Sequence, residues 1–222
     1  MKKEIILDIE TTGLNVKKGD RIIEIACIKI LNRKITNKKF HEYINPNRKS
    51  NKDALKIHGI SDKFLKNKPF FKDIIDKLIN FIKNYTIIIH NSSFDISFLN
   101  KEFKILKYKK FKYYVKNIVD SLKIARKKFP NKKNDLNSLC KRFKISIKKR
   151  KLHNALLDCI LLSKIYLILI RKQKNIFYNI INKEKKINNK NKKKLVNKMI
   201  NIKINKDENK IHKDIIKNIN LK

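Results

Sequence analysis

The chain begins with an apolar run that ends in two acidic residues, and this run limits the fold more than any other feature. The segment is KEIILDIETTGL, Lys3 to Leu14, in a chain of 222 residues. A continuous, β-rich apolar run predicts a strand buried on both faces of a sheet. Asp8 and Glu10 stand two apart, so their side chains point to the same face. We therefore predict an α/β fold with a site at the carboxyl end of this strand.

Further strands and helices follow in an order typical of a mixed α/β sheet. The polar residues Asn32–Lys34 separate two apolar segments, which predicts a hairpin, and Asn45–Asp53 is predicted to be a loop. The predicted strands are Lys3–Ile9, Arg21–Leu31, Ile35–Ile44, Tyr85–Asn91 and Lys116–Asp120, and the predicted helices are Phe70–Asn84, Ser93–Leu106, Asp135–Ile145 and Leu152–Ile170.

The formal net charge is +39, which makes a polyanion the obvious partner. Lys, Asn and Ile are abundant throughout, as they would be in an A/T-rich genome, so codon drift is an equally good source of this charge.

The three cysteines, Cys27, Cys140 and Cys159, are too scattered for a disulfide framework or a metal cluster. With no apolar run long enough to span a membrane, we expect a reduced, cytoplasmic protein that does not bind membranes.

Two later segments add an acidic residue or a histidine to the predicted site. Asp95 lies in the first turn of the helix after the fourth strand, and His153 and Asp158 lie near the start of the last helix. Residues five apart on a helix differ by about 140° in direction. A change from loop to helix at His153 would let the histidine turn toward the site that Asp158 faces.

Four carboxylates in one pocket repel one another unless cations neutralise them. Oxygen ligands suit Mg²⁺ or Mn²⁺, and two such ions about 4 Å apart are used for phosphodiester hydrolysis. His153 would take a proton from the attacking water, since a histidine has an ordinary pKa of about 6.5. We predict a two-metal site that acts on a polyanion.

Each of these residues also has a simpler interpretation by itself. Asp8 could cap the strand end, and Glu10 could lie on the surface. Asp95 could be an ordinary acidic residue favoured by the helix dipole. His153 and Asp158 could be solvated. The occurrence of all five in one arrangement favours the metal site.

Three motifs, DIETTG, HNSSFD and HNALLD, occur in this order and resemble the exonuclease motifs of the DnaQ-like (DEDDh) 3′→5′ exonucleases. The segments HGISDKFL, VDSLKIARKKFP and LHNALLDCILLSKIYL are also similar to the family of proofreading epsilon subunits of bacterial DNA polymerase III. The resemblance covers about Lys3 to Tyr178. It implies a ribonuclease H-like α/β fold: a mixed five-stranded sheet with one antiparallel strand, flanked by helices. A basic, low-complexity C-terminal tail follows.

The resemblance also implies a role for each motif residue. His153 would be the general base, and Thr11, Thr12 and Gly13 would lie against the terminal nucleotide. The carboxylates that would bind metal are Asp8, Glu10, Asp95 and Asp158. Three of them, Asp8, Glu10 and Asp158, would also contact substrate.

Four residues outside the metal set match positions near the substrate in this family. Asp53 and His58 match positions that contact the 3′ end, but Asp53 replaces a longer Glu, and His58 could instead order its loop. Asn91 and Phe94 would support the site, although Phe94 is equally well explained as a core residue.

The segment QKNIFY, Gln173 to Tyr178, resembles a sliding-clamp-binding peptide. Gln173 would enter a polar site, while Ile176 with Phe177 or Tyr178 would fill an apolar groove. A fraying helix end is the alternative. We therefore expect an exonuclease domain at 1–172, a clamp-binding peptide at 173–178, and a Lys/Asn-rich tail at 179–222. The family uses its tail to bind the polymerase alpha subunit, but these residues do not match that pattern.

The first functional hypothesis is a 3′→5′ DNA exonuclease that proofreads within DNA polymerase III. Its substrate would be the 3′ end of DNA, and its cofactors two Mg²⁺ or Mn²⁺ ions. Two hypotheses compete with it. One is a stand-alone exonuclease of the same superfamily that trims RNA, and the other is a non-catalytic basic scaffold.

Overall fold

The computed structural model describes residues 2–147 and 152–171. The chain divides into two units, Met1–Arg171 and Lys172–Lys222, and the described residues belong to the first. The strands are β1 (Lys3–Thr11), β2 (Ile22–Leu31), β3 (Lys34–Tyr43), β4 (Thr86–Ile89) and β5 (Asn117–Asp120). The predicted clamp peptide Gln173–Tyr178 and the tail at 179–222 lie outside the described residues.

Helices occupy the connections between the strands. They are α1 (Lys52–His58), α2 (Asp62–Leu65), α3 (Phe71–Ile82), α4 (Ser92–Ile105), α5 (Ser121–Lys128), α6 (Leu136–Arg142) and α7 (Ala155–Leu169), with short 3₁₀ helices at Val16–Lys18 and Phe111–Tyr113. Within the described ranges, no helix has the length and apolar character needed to cross a membrane.

The strands form one mixed sheet in the order β3-β2-β1-β4-β5. β2 runs antiparallel to β1 and β3, whereas β1, β4 and β5 run parallel to one another. Asn32 and Arg33 have φ values of 48° and 64°, as a tight two-residue turn between twisted strands requires. The predicted hairpin and the mixed five-stranded sheet are therefore confirmed.

The two faces of β1 pack against different helices because successive side chains of a strand alternate. Ile5, Leu7 and Ile9 join a core formed with α3 and α4. Ile6 joins a second core formed with α7. α7 is apolar on most of its surface, since it packs both on the sheet and on α5 and α6. The central strand is thus covered on both sides, as its sequence predicts.

The predicted helices near α3, α4, α6 and α7 are all present, although α7 begins at Ala155 rather than Leu152. The interpretation of Asn45–Asp53 as loop is wrong at its end, because α1 begins at Lys52. The helices α2 and α5 were not predicted. Each is short and is set by a capping side chain, Ser61 for α2 and Asp120 for α5.

Candidate active site

Asp8 and Glu10 project toward α7, because they share the side of β1 that Ile6 occupies. β4 pairs with β1 only at Glu4, Ile5 and Ile6. The last part of β1 therefore has no neighbour on that edge and borders an open crevice. Both carboxylates lie at the place that the strand pattern predicts.

Asp95 reaches the same crevice from the first turn of α4. The helix begins after Asn91, whose backbone is left-handed with a φ of 67°. Asp95 is 3% exposed. Burial raises the pKa of Asp95 well above its ordinary value, and the charge of Asp120 acts in the same direction.

His153 and Asp158 meet because α7 begins after the histidine. The N-cap is Asn154, whose side chain accepts a hydrogen bond from the Leu157 amide at 3.0 Å. His153 Nδ1 then lies 3.7 Å from Asp158 Oδ2. One ligand atom each from Glu10, His153 and Asp158 fall within 4.8 Å of one another. The helix start that the sequence argument considered is confirmed.

The four carboxylates destabilise one another in their charged forms. Burial raises the pKa of Asp8 well above its ordinary value, and the charges of Asp95, Asp158 and Glu10 add to that effect. Such a cluster is offset by a bound cation, and an oxygen-rich ligand set fits Mg²⁺ or Mn²⁺. The residues present therefore fit the metal site that the resemblance implies.

These residues form the floor of a cleft of about 740 Å³, which we call the substrate cleft. Asp53 lines it, but the Asp53 side chain is 93% exposed and its nearest charged partner is Lys56 at 3.6 Å. Except for Thr12, the other residues predicted for the site within the described ranges also line the cleft. They are Asp8, Glu10, Thr11, Gly13, His58, Asn91, Phe94, Asp95, His153 and Asp158.

The Thr11–Gly13 segment is held by hydrogen bonds of its own. The Thr11 hydroxyl donates to the Gly13 carbonyl at 2.7 Å. The Thr12 side chain is fully buried and donates to Asp20 Oδ1 at 3.2 Å, so the structure does not bring it to the cleft. A Cβ at Gly13 would fall 2.5 Å from Asp20 Oδ2 and would also clash with Asn51 Nδ2. Gly13 is therefore needed for the packing of this loop.

His58 has the loop-ordering role considered for it, and its contact with a 3′ end stays a prediction. Its Nδ1 accepts a hydrogen bond from the Ile60 amide at 3.0 Å, which orders the turn after α1. Burial lowers the pKa of His58, so the ring is neutral and carries its proton on Nε2. The Nε2 atom is buried and makes no hydrogen bond to any described residue. His58 lines the substrate cleft, so this unsatisfied donor lies at the wall of that cleft.

Glu24, which was not among the predicted site residues, holds the start of α7. Glu24 is fully buried on β2, directly opposite Glu10. Its Oε1 accepts hydrogen bonds from Asn154 Nδ2 and His41 Nε2, both at 2.7 Å, and its Oε2 accepts one from the Ala155 amide at 3.1 Å. The signal was present in RIIEIACIKIL, since a glutamate inside a strand paired on both edges has to find buried partners.

A family model described as Exonuclease matches residues 5–166. The chain belongs to this exonuclease family. The exonuclease is 47% identical to the DNA polymerase III subunit epsilon of Buchnera aphidicola subsp. Schizaphis graminum, over 96% of this chain and 95% of that protein. It is 44% identical to the DNA polymerase III subunit epsilon of Rickettsia prowazekii, over 98% of this chain and 96% of that protein.

Solved structures agree with the fold of this exonuclease. Exonuclease X, in complex with 5′ overhanging duplex DNA, superposes with a TM-score of 0.60 and 24% identity, covering 77% of this chain and 92% of that one. The ribonuclease H-like fold implied by the resemblance is therefore confirmed.

Proposed function

We propose that this chain is a metal-dependent 3′→5′ DNA exonuclease and the proofreading subunit of DNA polymerase III. The observation that carries the proposal is the meeting of two carboxylates, those of Glu10 and Asp158, with His153 in the substrate cleft, which Asp8 and Asp95 also line. It is supported by 47% and 44% identity to two proteins named DNA polymerase III subunit epsilon. In this account, the chain buries negative charge in order to act on a polyanion.

Two divalent ions, Mg²⁺ or Mn²⁺, are proposed to bind among four carboxylates, those of Asp8, Glu10, Asp95 and Asp158. When bound, such ions lower the pKa of water and offset the negative charge of the phosphate. The four carboxylates would supply oxygen ligands from three separate elements, β1, α4 and α7. Their mutual repulsion in the absence of ions favours metal binding.

His153 is proposed to accept the proton of the attacking water. The water oxygen forms a bond to phosphorus while the bond from phosphorus to the 3′ oxygen of the preceding nucleotide breaks. The products are a nucleoside 5′-monophosphate and a strand one nucleotide shorter. The His153 side chain is 46% exposed, so the proton it accepts can pass to solvent. The carboxylate of Asp158 stabilises the protonated ring from 3.7 Å.

The terminal nucleotide is proposed to occupy the substrate cleft. Leu14 and Ile57 line this cleft and are 78% and 43% exposed, so they offer apolar surface to a base. His58 Nε2 offers a hydrogen-bond donor nearby. An unpaired end enters such a cleft at low cost, whereas a paired end must first lose its pairing and stacking. This difference would favour removal of mispaired nucleotides.

Two protein partners are proposed. Gln173, Ile176, Phe177 and Tyr178 would form a sliding-clamp-binding peptide, and the tail at 179–222 would bind the polymerase alpha subunit as it does in the family, although its own residues do not match the family's pattern. In a pull-down of the full chain with the purified clamp, Gln173→Ala should reduce clamp recovery. Exonuclease activity of the same variant should be unchanged, because Gln173 follows the residues matched by the family model.

The proposed activity is tested on a single-stranded DNA and an RNA of the same sequence, both labelled at the 5′ end. With Mg²⁺ or Mn²⁺, we expect a ladder that shortens from the 3′ end of the DNA. EDTA or the substitution Asp158→Asn should abolish the ladder. Preference for the RNA would move the function to RNA trimming, and failure of folded wild-type protein to cleave either substrate would contradict the proposal.

A further inference from the structure

A second cleft of about 550 Å³ meets the substrate cleft at the carboxylates, and we call it the basic cleft. The two clefts share five lining residues: Asp8, His90, Asn91, His153 and Asp158. On its far side, the basic cleft is lined by Arg126 of α5 and by Lys132 and Lys133 of the loop between α5 and α6. Nothing in the proposed mechanism uses these three cations.

The loop between α5 and α6 is fixed in place by its own side chains. Asn134 is 7% exposed, and its Nδ2 donates to the carbonyls of Phe129 at 3.1 Å and Lys132 at 2.8 Å. Arg142 donates to Asn134 Oδ1 at 3.1 Å and lies over the Phe129 ring at 4.6 Å. His90 Nε2 donates to the Asn134 carbonyl at 2.9 Å. The loop is thereby tied to the end of β4, next to the catalytic carboxylates.

Within the part of the chain that the structure describes, the cations of the basic cleft, Arg126, Lys132 and Lys133, form no ion pair. Asp135 also lines this cleft, but both of its oxygens accept hydrogen bonds from Ser138 at the start of α6. The unmatched positive charge indicates an anionic ligand.

We propose that the basic cleft binds backbone phosphates of the DNA strand on the 5′ side of the scissile bond. The inference rests on the proposed function. A strand whose terminal nucleotide fills the substrate cleft must leave the carboxylates by another route, and the basic cleft opens at that point. Its described lining contains no Phe, Tyr or Trp on which a base could stack. Three cations on a fixed loop and helix therefore contact phosphates rather than bases.

The test compares two double variants that lose the same charge. Lys132→Gln/Lys133→Gln alters the basic cleft, and Lys127→Gln/Lys128→Gln removes two exposed lysines of α5 that line neither cleft. Each is assayed on a dodecathymidylate and on the 4-nitrophenyl ester of thymidine 5′-monophosphate, which has no strand beyond the scissile bond. Inhibition of both reactions by thymidine 5′-monophosphate is measured as well.

We expect the basic-cleft variant to raise KM for the dodecamer by roughly tenfold. The slope of log KM against log salt concentration should fall by about 0.7 for each lost phosphate contact. Hydrolysis of the nitrophenyl ester should be unchanged, and the control variant should resemble wild type. Equal effects of the two double variants, or an unchanged KM for the dodecamer, would overturn the proposal. If the basic-cleft variant is inhibited less by thymidine 5′-monophosphate but keeps the wild-type KM for the dodecamer, the cleft binds the phosphate of the product and the proposal is overturned. Failure of the wild type on both substrates would instead contradict the proposed function.

Discussion

The role given to His153 depends on a single side chain that stands just before α7. We expect His153→Ala to lower kcat by roughly 10²–10⁴-fold, since a positioned base contributes about that much. KM for DNA should change little, because the carboxylates and the apolar edge of the cleft remain. Single-turnover digestion with saturating Mn²⁺ measures the effect. An unchanged rate would show that another group takes the proton.

We expect Asp8 to be required for hydrolysis but not for the stability of the fold. Burial and four neighbouring carboxylates raise its pKa, so the charged form destabilises the folded protein at pH values above the ordinary Asp range. Asp8→Asn should abolish hydrolysis, yet in EDTA at pH 8 it should raise the free energy of unfolding, because the neutral amide removes this repulsion.

Urea unfolding in EDTA measures this gain, which should shrink as the pH falls and Asp8 takes up a proton. A variant less stable than wild type at pH 8 would mean that hydrogen bonds to the carboxylate outweigh the repulsion.

Helix α7 is attached at its start by Glu24 on β2. Glu24→Gln replaces one acceptor oxygen by an amide donor, so it cannot keep both the Asn154 and the Ala155 contacts. We expect a loss of about 1–3 kcal/mol in stability and a fall in kcat of tenfold or more in the folded enzyme, because His153 immediately precedes the displaced residues.

Glu4→Gln is the matched control for that substitution. Glu4 is also fully buried, but it contacts Tyr166 at 2.6 Å, near the other end of α7. This variant should lose stability and keep its kcat. If both glutamine variants have wild-type kcat when folded, Glu24 is structural only.

His90 joins the end of β4 to α5 and to the following loop, through Ser121 at 2.9 Å and the Asn134 carbonyl at 2.9 Å. Burial lowers the pKa of His90, and nearby Arg126 acts in the same direction, while Asp120 and Asp135 oppose it. Below the ordinary histidine pKa of about 6.5, the unfolded chain therefore binds a proton that the folded chain does not.

Stability should consequently fall as the pH drops from 7 to 5, and the fall should be smaller in His90→Gln. Urea midpoints at the two pH values test this. An equal fall in both proteins would assign the loss to other groups, among them His58, whose pKa is also lowered by burial.

The elements that could be predicted from the sequence were those with long or regular apolar patterns. β1, the hairpin and α7 follow from such patterns, and the motif spacing brings Asp8, Glu10 and Asp95 to one edge of the sheet. The short α2 was not predictable in this way, because single cap contacts set its bounds. Glu24 was missed because its role depends on Asn154, which lies 130 residues away in sequence.

Over the whole chain, the net charge of +39 has two explanations, nucleic-acid binding and codon drift. If the charge serves binding, KM for single-stranded DNA should rise steeply with KCl, with a log–log slope of about 0.7 for each phosphate contact. Digestion at several KCl concentrations measures this slope. A flat dependence would mean that most of the charge lies outside the DNA path and reflects codon usage.

The central claim is that a strongly basic chain gathers four carboxylates, of which Asp95 and Asp158 are buried, in order to hold divalent ions for hydrolysis. The most direct test is the shift in thermal unfolding when Mn²⁺ is added to the wild type and to Asp8→Asn. At 100 times the dissociation constant, a bound ion adds about 2.7 kcal/mol of stability, so the wild-type Tm should rise clearly while that of the variant changes little. An equal response of the two proteins, or no response of the wild type, would contradict the metal site and favour a non-catalytic scaffold.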